Sequence, residues 1–179
     1  LMGEGAGVLV LARRSQAIAR GATVLAELVS AGRSCDANHV SAPDPEGRGA
    51  VAAINQALQE GGLSPDDIPF VNAHGTGTPH NDVSESKAMN AVFGDRAKSL
   101  PITSTKSMVG HLLGAAGGIE AVLTVLSIQN RLLPATAGDT PSDPELGLDV
   151  VLHEARALPS SNVGISTNLA FGGNNAVIV

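Results

Sequence analysis

Short apolar runs alternate with helical segments along this chain, and that alternation constrains its fold more than any other feature. Strands are predicted at 8–11, 23–29, 68–73, 101–104, 163–168 and 176–179. Helices are predicted at 15–20, between 51 and the glycine pair 61–62, from 82 to 93 and at 112–130. Polar, proline-containing loops are predicted at 33–48 and 134–147. Strands that alternate with helices indicate an α/β fold, a sheet with helices on its faces.

The composition indicates which residues form the core, which partners are excluded and which redox compartment is favoured. Trp and Tyr are absent while 43% of the residues are apolar, so the core is expected to consist of Ala, Val, Leu and Ile. The net charge of −6 argues against a nucleic acid or an anionic membrane as partner. Cys35 is the single cysteine, which rules out an internal disulfide and favours a reducing, cytoplasmic setting.

The segment 112–128 is almost wholly apolar, yet it is predicted to be a buried helix and not a membrane span. It is shorter than the roughly 20 residues that cross a bilayer, and it contains Glu120 and three glycines. No signal peptide is visible. Because the chain opens with Leu1 and closes on an apolar run, we expect it to be part of a longer protein.

The first candidate site is the turn His74-Gly75-Thr76-Gly77-Thr78, which follows an apolar strand. Ligands of open α/β sheets bind at the carboxyl ends of strands, so His74 can face a cleft there. The hydroxyls of Thr76 and Thr78 can bind a polar arm of a ligand. The alternative, a histidine whose hydrogen bonds are satisfied inside the turn, stays open on these residues alone.

A second candidate site places Lys106 and His111 just before the apolar helix. Burying either side chain is costly unless it is paired, and Glu120 is a suitable partner for Lys106. A purely structural ion pair is the alternative. Farther along the chain, the pair Gly172-Gly173 follows a strand and can present N–H groups to an oxyanion, although a tight hairpin explains the same residues.

Asp82 and Glu85 stand three residues apart, directly before the apolar positions of the next predicted helix. This spacing is that of a capping box, so we expect the helix to begin near Asp82.

Taken together, four segments resemble the β-ketoacyl synthases, in the order and at about the spacing of that family. They are 2–11, 74–79, 104–118 and 171–173, and the resemblance covers essentially all 179 residues. It implies a thiolase-like layered α/β/α/β/α fold, of which this chain is the C-terminal half only. Residues 1–14 would be the last strand of the N-terminal half, and residues 15–179 the C-terminal β-ketoacyl synthase domain.

The resemblance also implies a reaction, a decarboxylating Claisen condensation of malonyl-acyl carrier protein with an enzyme-bound acyl chain in fatty acid or polyketide elongation. The enzyme would be an acyltransferase and a homodimer. Acyl carrier protein would be its partner, and it would need no cofactor beyond the carrier's phosphopantetheine. Initiating synthases have asparagine where this chain has His111, so elongation is favoured.

By the same resemblance, His74 and His111 donate hydrogen bonds to the malonyl thioester oxygen as its charge develops. Lys106, tied to Glu120, orients this pair. The resemblance makes Asp82 and Glu85 supporting residues, and it places Thr76 and Thr78 at the phosphopantetheine arm. It places Phe171 and Gly172 at the acyl pocket. The Phe171 N–H would complete an oxyanion hole.

Two departures and two alternatives accompany this expectation. The family's Phe-Gly-Phe-Gly-Gly-Thr-Asn is replaced by residues 169–175, in which Ala170 makes a positive φ unfavourable. Cys35 does not match the nucleophilic cysteine, so the chain alone is an incomplete enzyme. A catalytically silent partner, such as a chain-length factor, is the main alternative. A zinc hydrolase using His74, His80 and His111 is another, although we expect no metal site.

Overall fold

The computed structural model describes residues 1–138, 143–158 and 162–179. Its α-helices are α1 (Arg14–Ala19), α2 (Arg48–Gly61), α3 (Pro79–Phe93), α4 (Lys106–Val109) and α5 (Ala116–Asn130). Its strands are β1 (Ala31–Cys35), β2 (Val71–Asn72), β3 (Pro101–Thr103), β4 (Leu132–Leu133), β5 (Asp149–Val150), β6 (Arg156–Ala157), β7 (Ile165–Ala170) and β8 (Asn174–Ile178). Short 3₁₀ helices occupy Pro65–Asp67, Gly94–Lys98, Leu113–Ala115, Pro144–Leu146 and Phe171–Gly173.

Among the described residues, six strands form one mixed sheet in the order β1-β8-β7-β2-β3-β5. β7, β2, β3 and β5 run parallel, whereas β8 and β1 are antiparallel to their neighbours. The carboxyl ends of β2, β3 and β7 therefore meet at one edge of the sheet. The chain leaves that edge into His74 after β2, towards Lys106 after β3 and into Phe171 after β7. The α/β fold class is thus confirmed.

Helices cover both faces of this sheet. α2 and α3 pack on one face against a core that includes Val71 and Ile165. Successive side chains of a strand point to opposite faces, and Asn72 accordingly reaches α5 on the other face. Its amide donates to the Glu120 carbonyl and to the Thr124 hydroxyl, both at 3.2 Å. β2 therefore presents an apolar side chain to one helix layer and a polar one to the other.

Close packing of α2 on the sheet requires glycine at position 32. A Cβ there would lie 1.9 Å from the Ala53 carbonyl oxygen in α2. α2 ends at Gly62, whose φ of 63° lies in the left-handed region, and the Leu63 N–H turns back to the Leu58 carbonyl at 2.9 Å. This is the glycine-terminated helix end that the pair 61–62 predicted.

The predicted strands at 8–11 and 23–29 are wrong. Residues 3–13 form no strand, and Val8 and Val10 are 81% and 89% exposed. A strand needs a hydrogen-bonded neighbour. Among residues 1–13, the one β-bridge joins Met2 to His111. The chain joins the sheet later, at β1, which overlaps the start of the predicted loop 33–48. Residues 1–14 thus contain no strand in the described structure, and the domain boundary at 14–15 stays a prediction.

The predicted capping box is also wrong. α3 begins at Pro79 with Thr78 as its N-cap, so Asp82 lies within the first turn. Glu85 does not turn back to the residue three before it, because its carboxylate binds the backbone of the preceding turn. The apolar helix likewise begins later than predicted, at Ala116, after a 3₁₀ turn. Part of the predicted loop 134–147, residues 139–142, lies outside the described residues.

Three short strands lie in regions that the sequence pattern left unassigned. The short strands β4, β5 and β6 were not predicted, because two-residue strands carry too few positions to show a period. In the part of the chain that is described, no helix combines the length and the apolarity that crossing a membrane requires.

Candidate functional site

Two histidines face each other at the carboxyl edge of the sheet. His74 follows β2 and is buried, and His111 lies in the loop between α4 and α5 and is half-buried. Their ring centroids are 5.4 Å apart and the rings are nearly perpendicular, at 85°. The structure thus brings together the two imidazoles that the sequence placed on separate motifs, and both can reach one small ligand atom between them.

The turn at His74 is held by a buried carboxylate. Glu85 Oε1 accepts the His74 backbone N–H at 2.8 Å, and Oε2 accepts the Gly75 N–H at 2.8 Å. Thr167 Oγ1 lies 3.1 Å from the same His74 nitrogen. Gly75 has a φ of 40°, and a Cβ there would lie 2.5 Å from Ser104, so the turn requires glycine. Glu85 therefore fixes the backbone from which the His74 ring projects.

His111 is fixed by its own backbone and by the following turn. Its N–H donates to the Leu1 carbonyl at 2.9 Å, and its carbonyl accepts from Gly3 at 3.0 Å. Leu113 has a φ of 50°, and its N–H donates to His111 Nδ1 at 3.1 Å. Because Nδ1 accepts this bond, the proton of the neutral ring lies on Nε2. His111 therefore presents an N–H donor away from its own backbone.

Behind the histidines lies a buried ion pair between Lys106 Nζ and Glu120 Oε1. The other carboxylate oxygen, Oε2, accepts from Asn168 Nδ2 at 2.8 Å. Burial raises the pKa of Glu120, while Lys106 and the Asn168 amide act in the opposite direction. The pairing predicted for these residues is present, and α5 carries the carboxylate inside its otherwise apolar length.

Both imidazoles are held in the neutral state. Burial, the nearby Lys106 cation and His111 together lower the pKa of His74 to about 3, against a smaller opposing effect of the Asn168 side chain. Burial and Lys106 also lower the pKa of His111. Among the described residues, His74 Nδ1 is buried and has no hydrogen-bond partner, which is uncommon in proteins. At neutral pH each ring can donate one N–H without carrying charge.

The threonines of the His74 turn lie at the accessible side of the site. Thr76 Oγ1 and Thr78 Oγ1 are 2.8 Å apart and form a hydrogen bond. Thr78 is exposed and Thr76 is half-buried, so both hydroxyls can exchange this bond for one to a ligand. Their role at a polar arm of a ligand stays a prediction.

Phe171 follows β7 and is 74% exposed. Ala170 before it has a φ of −126°, as the sequence predicted. The Gly172 N–H, however, donates to the Val40 carbonyl at 2.7 Å. The expectation that the glycine pair offers its N–H groups to an oxyanion is therefore wrong for Gly172 in this conformation. The Gly172 N–H already donates to a carbonyl of the loop that follows β1.

Two other candidates lie farther out. Asp82 is half-buried and accepts from Asn81 Nδ2 at 3.1 Å, and the same amide lies 3.3 Å from Glu85 Oε2. Asp82 therefore contacts the site through Asn81 and through its own backbone N–H, which donates to the Thr78 carbonyl at 2.9 Å. Cys35 is exposed at the end of β1, with its sulfur 3.6 Å from the Gly172 carbonyl.

For the zinc alternative, His80 is exposed on α3. Within residues 1–138, 143–158 and 162–179, no three His, Cys, Asp or Glu side chains are grouped so that they could hold a metal ion.

Sequence reasoning missed three polar residues that contact this site, namely Asn72, Thr167 and Asn168. Asn72 accepts from the Thr105 hydroxyl at 3.3 Å, and Thr167 donates to Glu85 Oε1 at 2.9 Å. The signal that could have found them is their polarity on strands otherwise buried on both faces, since a buried polar group requires a partner.

The sequence of this chain is similar to those of known proteins. The family model described as "Beta-ketoacyl synthase, C-terminal domain" matches residues 25–139. The 3-oxoacyl-[acyl-carrier-protein] synthase 2 of Staphylococcus aureus is 48% identical over 179 residues, which are 100% of this chain and 44% of the relative. The enzyme of the same name from Synechocystis sp. is 46% identical over 178 residues, 99% of this chain and 42% of that relative. The chain thus spans less than half the length of these curated relatives.

Solved structures share the fold. The ishigamide ketosynthase/chain length factor superposes with a TM-score of 0.92 at 40% identity, over 99% of this chain and 43% of that one. A beta-ketoacyl synthase from Burkholderia phymatum STM815 gives a TM-score of 0.85 at 39% identity, over 92% and 39%. A type II polyketide ketosynthase solved in complex with its acyl-carrier protein gives 0.86 at 31% identity, over 92% and 40%. The thiolase-like layered α/β architecture is therefore shared with these ketosynthases.

Proposed function

This chain belongs to the β-ketoacyl synthase family and contains its C-terminal domain, and from that premise we propose that it supplies the His/His/Lys half of an elongating synthase's active site. The reaction is the decarboxylating condensation of malonyl-acyl carrier protein with an enzyme-bound acyl chain, in fatty acid or polyketide elongation. The observation that carries the proposal is the pair of neutral imidazoles, 5.4 Å apart, in front of the buried Lys106–Glu120 pair.

The chemistry follows from where negative charge develops. When the malonyl thioester loses carbon dioxide, the electron pair of the broken C–C bond moves into an enolate, and the thioester oxygen gains charge. N–H donors from His74 and His111 stabilise that oxygen, and they stabilise it more than the uncharged carbonyl of the substrate. The enolate carbon then attacks the acyl thioester, and the cysteine thiolate leaves. That cysteine is not Cys35, whose sequence context does not match the nucleophile of the family and which lies exposed at the end of β1.

Neutral rings suit this task better than charged ones. A protonated imidazole would attract the malonyl carboxylate and oppose its loss as uncharged carbon dioxide. Burial and Lys106 keep the pKa of His74 near 3, so the ring is uncharged throughout the physiological range. Lys106 supplies positive potential from behind the rings, and Glu120 holds it in place.

The remaining assignments concern substrate delivery. Thr76 and Thr78 contact the phosphopantetheine arm of acyl carrier protein, which is the partner and carries the substrates, so that no further cofactor is required. Phe171 acts as a gate beside the acyl pocket, and its ring is exposed in this structure. Asp82 supports the site through Asn81. The whole enzyme works as a cytoplasmic homodimer.

A catalytically silent chain-length factor is the second candidate, since one solved neighbour is named as a ketosynthase/chain length factor. Such a partner has no need for two neutral imidazoles backed by a buried lysine. The presence of His74, Lys106 and His111 in one arrangement therefore favours the active synthase.

The test is condensation by the full-length protein that carries this chain, with acyl- and malonyl-acyl carrier protein as substrates. His74→Ala and His111→Ala should each lower malonyl decarboxylation by roughly 100- to 1,000-fold, the usual cost of one oxyanion donor. His80→Ala, at an exposed position on α3, is the matched control and should retain full activity. A wild-type protein that neither decarboxylates nor condenses would end the proposal.

A further inference from the structure

Adjacent residues of β7, Thr167 and Asn168, contact the two carboxylates that organise the site. Thr167 lies on the face of the sheet covered by α3, and Asn168 lies on the face covered by α5, because successive strand residues point to opposite sides. Glu85 comes from α3 and Glu120 from α5. β7 therefore passes between the part of the site that holds His74 and the part that holds Lys106.

Thr167 is buried and uses its hydroxyl twice. Its Oγ1 donates to Glu85 Oε1 at 2.9 Å and lies 3.1 Å from the His74 backbone nitrogen, whose N–H it accepts. Glu85 and Thr167 thus share the same backbone N–H and bind each other. With the hydroxyl removed, Glu85 Oε1 would lose its side-chain donor in a place that water cannot reach.

Asn168 makes the equivalent connection on the opposite face. Its Nδ2 donates to Glu120 Oε2 at 2.8 Å, while the other oxygen of that carboxylate holds Lys106. The helix opposite has Gly117 at this point, where a Cβ would lie 3.5 Å from the Asn168 amide, so α5 approaches the strand closely. The same side chain acts on His74, because it opposes the lowering of the pKa of that imidazole.

We propose that Thr167 and Asn168 together are positioning residues, which hold His74 and the Lys106–Glu120 pair in a fixed relation during condensation. This rests on the proposed function. Neighbouring Cα atoms of a strand stay 3.8 Å apart, so two bonds made by neighbours leave the two carboxylates little freedom to move separately. β7 is hydrogen-bonded to β2 on one side and to β8 on the other, which makes it a rigid support.

The first test compares Thr167→Val with Thr167→Ser in the full-length synthase. Valine keeps the shape and removes the hydroxyl, and we expect kcat for condensation to fall about 10- to 100-fold with KM for malonyl carrier protein little changed. Serine restores the hydroxyl and should return kcat to within about threefold of wild type. Should Thr167→Val precipitate, Thr167→Ala carries the same expectation.

Ser127→Ala is the matched control for a lost buried hydroxyl. Ser127 lies in α5 and donates within its own helix, to the Leu123 carbonyl at 2.9 Å. Its loss should lower thermal stability as Thr167→Val does and leave kcat unchanged. Equal kcat values for Thr167→Val and Thr167→Ser would overturn the proposal.

The second test is the pH profile of Asn168→Leu, which removes the donor to Glu120 and keeps a similar volume. With one hydrogen bond fewer to its charged form, the Glu120 pKa should rise further. Protonation of Glu120 releases Lys106, so the acidic limb of the kcat profile should move to higher pH. Asn90→Leu in α3, whose amide donates to the Ser86 carbonyl at 2.9 Å, should leave that limb in place.

The outcomes separate the two proposals. If the wild-type protein fails to condense, the proposed function falls and this inference with it. If the wild type condenses, but Thr167→Val matches Thr167→Ser and the acidic limb of Asn168→Leu stays in place, only the positioning role is refuted.

Discussion

Lys106 and Glu120 form an ion pair in which the two side chains are 4% and 1% exposed. Taking both charges out of water costs several kcal/mol for each ion, and the attraction between them roughly repays that cost. Such a pair contributes little net stability compared with two apolar side chains of similar volume. From its position behind His74 and His111, we propose that the pair serves the histidines through the electrostatic field and the orientation that it gives them.

This leads to a prediction that separates stability from activity. Lys106→Met leaves Glu120 buried without its cation and should lower the free energy of unfolding by about 3–5 kcal/mol. Adding Glu120→Leu removes the orphaned charge and should restore most of that loss. Condensation should stay low in both variants, because neither contains the amine. Urea denaturation of the full-length protein and steady-state kinetics check the two parts, and an active double variant would contradict the role given to Lys106.

A second prediction concerns stability against pH. His74 has a pKa of about 3 when folded and an ordinary value of 6.5, so below pH 6.5 the unfolded chain binds a proton that the folded protein does not. Stability should therefore fall as pH decreases from about 6.5 towards 3, by up to about 1.4 kcal/mol per pH unit from this group. His74→Gln should flatten that slope, and His80→Gln should not. Chemical denaturation at several pH values measures both.

Asp44 gives a third prediction, of a carboxylate whose stabilising effect is lost in acid. Hydrogen bonds from Arg48 lower its pKa to about 2, and its carboxylate also accepts the Glu46 N–H. Its contribution is complete above the unfolded pKa of about 4 and disappears as pH falls through about 2. Because Arg48 is 77% exposed, solvent screens the pair, and Asp44→Asn should cost only about 1 kcal/mol at neutral pH.

The same substitution should cost much less at pH 2, where about half of the folded-state Asp44 carboxyls and nearly all of the unfolded-state ones are protonated and uncharged, as the amide is. Thermal melts of the full-length protein at pH 7 and pH 2 make the comparison. Lys87→Ala, which removes a partner from the exposed pair with Glu46, is the control and should change stability little at either pH.

Part of the fold follows from the sequence, and the failures have a physical cause. The segments 68–73, 101–104 and 163–168 are largely buried, and strands indeed form within them. The runs 8–11 and 23–29 are more apolar, yet their large apolar side chains are exposed and they form no strand in this structure. An apolar run indicates that its residues tend to be buried. A strand also needs a hydrogen-bonded neighbour, and the sequence pattern does not reveal which segment that neighbour is.

β1 was missed for the opposite reason. Its sequence, Ala31–Cys35, is polar and small, and it pairs with β8 because Gly32 lets the α2 backbone come close. Long-range pairing of this kind leaves no local signal.

The site residues also divide into those that the sequence identifies and those that it does not. His74, Lys106, His111 and Glu120 could be identified from their motifs, because a charged or titratable side chain beside an apolar run already requires a partner. Thr167 and Asn168 were missed, since Thr and Asn are ordinary residues of strands and turns, and their polarity is a signal only once the strand is known to be buried. Their role appears only when the strand order places β7 beside β2, between the two helices that carry the carboxylates.

The last prediction concerns the N-terminal glycines, which support His111. Gly3, Gly5 and Gly7 alternate along an extended segment that lies against residues 109–119. A Cβ at Gly3 would lie 2.3 Å from the Val109 carbonyl oxygen, and the Gly3 N–H holds the His111 carbonyl at 3.0 Å. Gly3→Ala should therefore displace His111 and lower kcat for decarboxylation at least about tenfold, since a misplacement of 1 Å can cost 100-fold.

Gly114→Ala is the matched control for this substitution. It lies three residues beyond His111, and a Cβ there would meet no atom within 4 Å. Its decarboxylation rate should equal that of the wild type. A crystal structure of Gly3→Ala should show the His74–His111 centroid distance changed from 5.4 Å. An unchanged distance together with an unchanged rate would mean that the segment at residues 1–7 packs beside the site without positioning it.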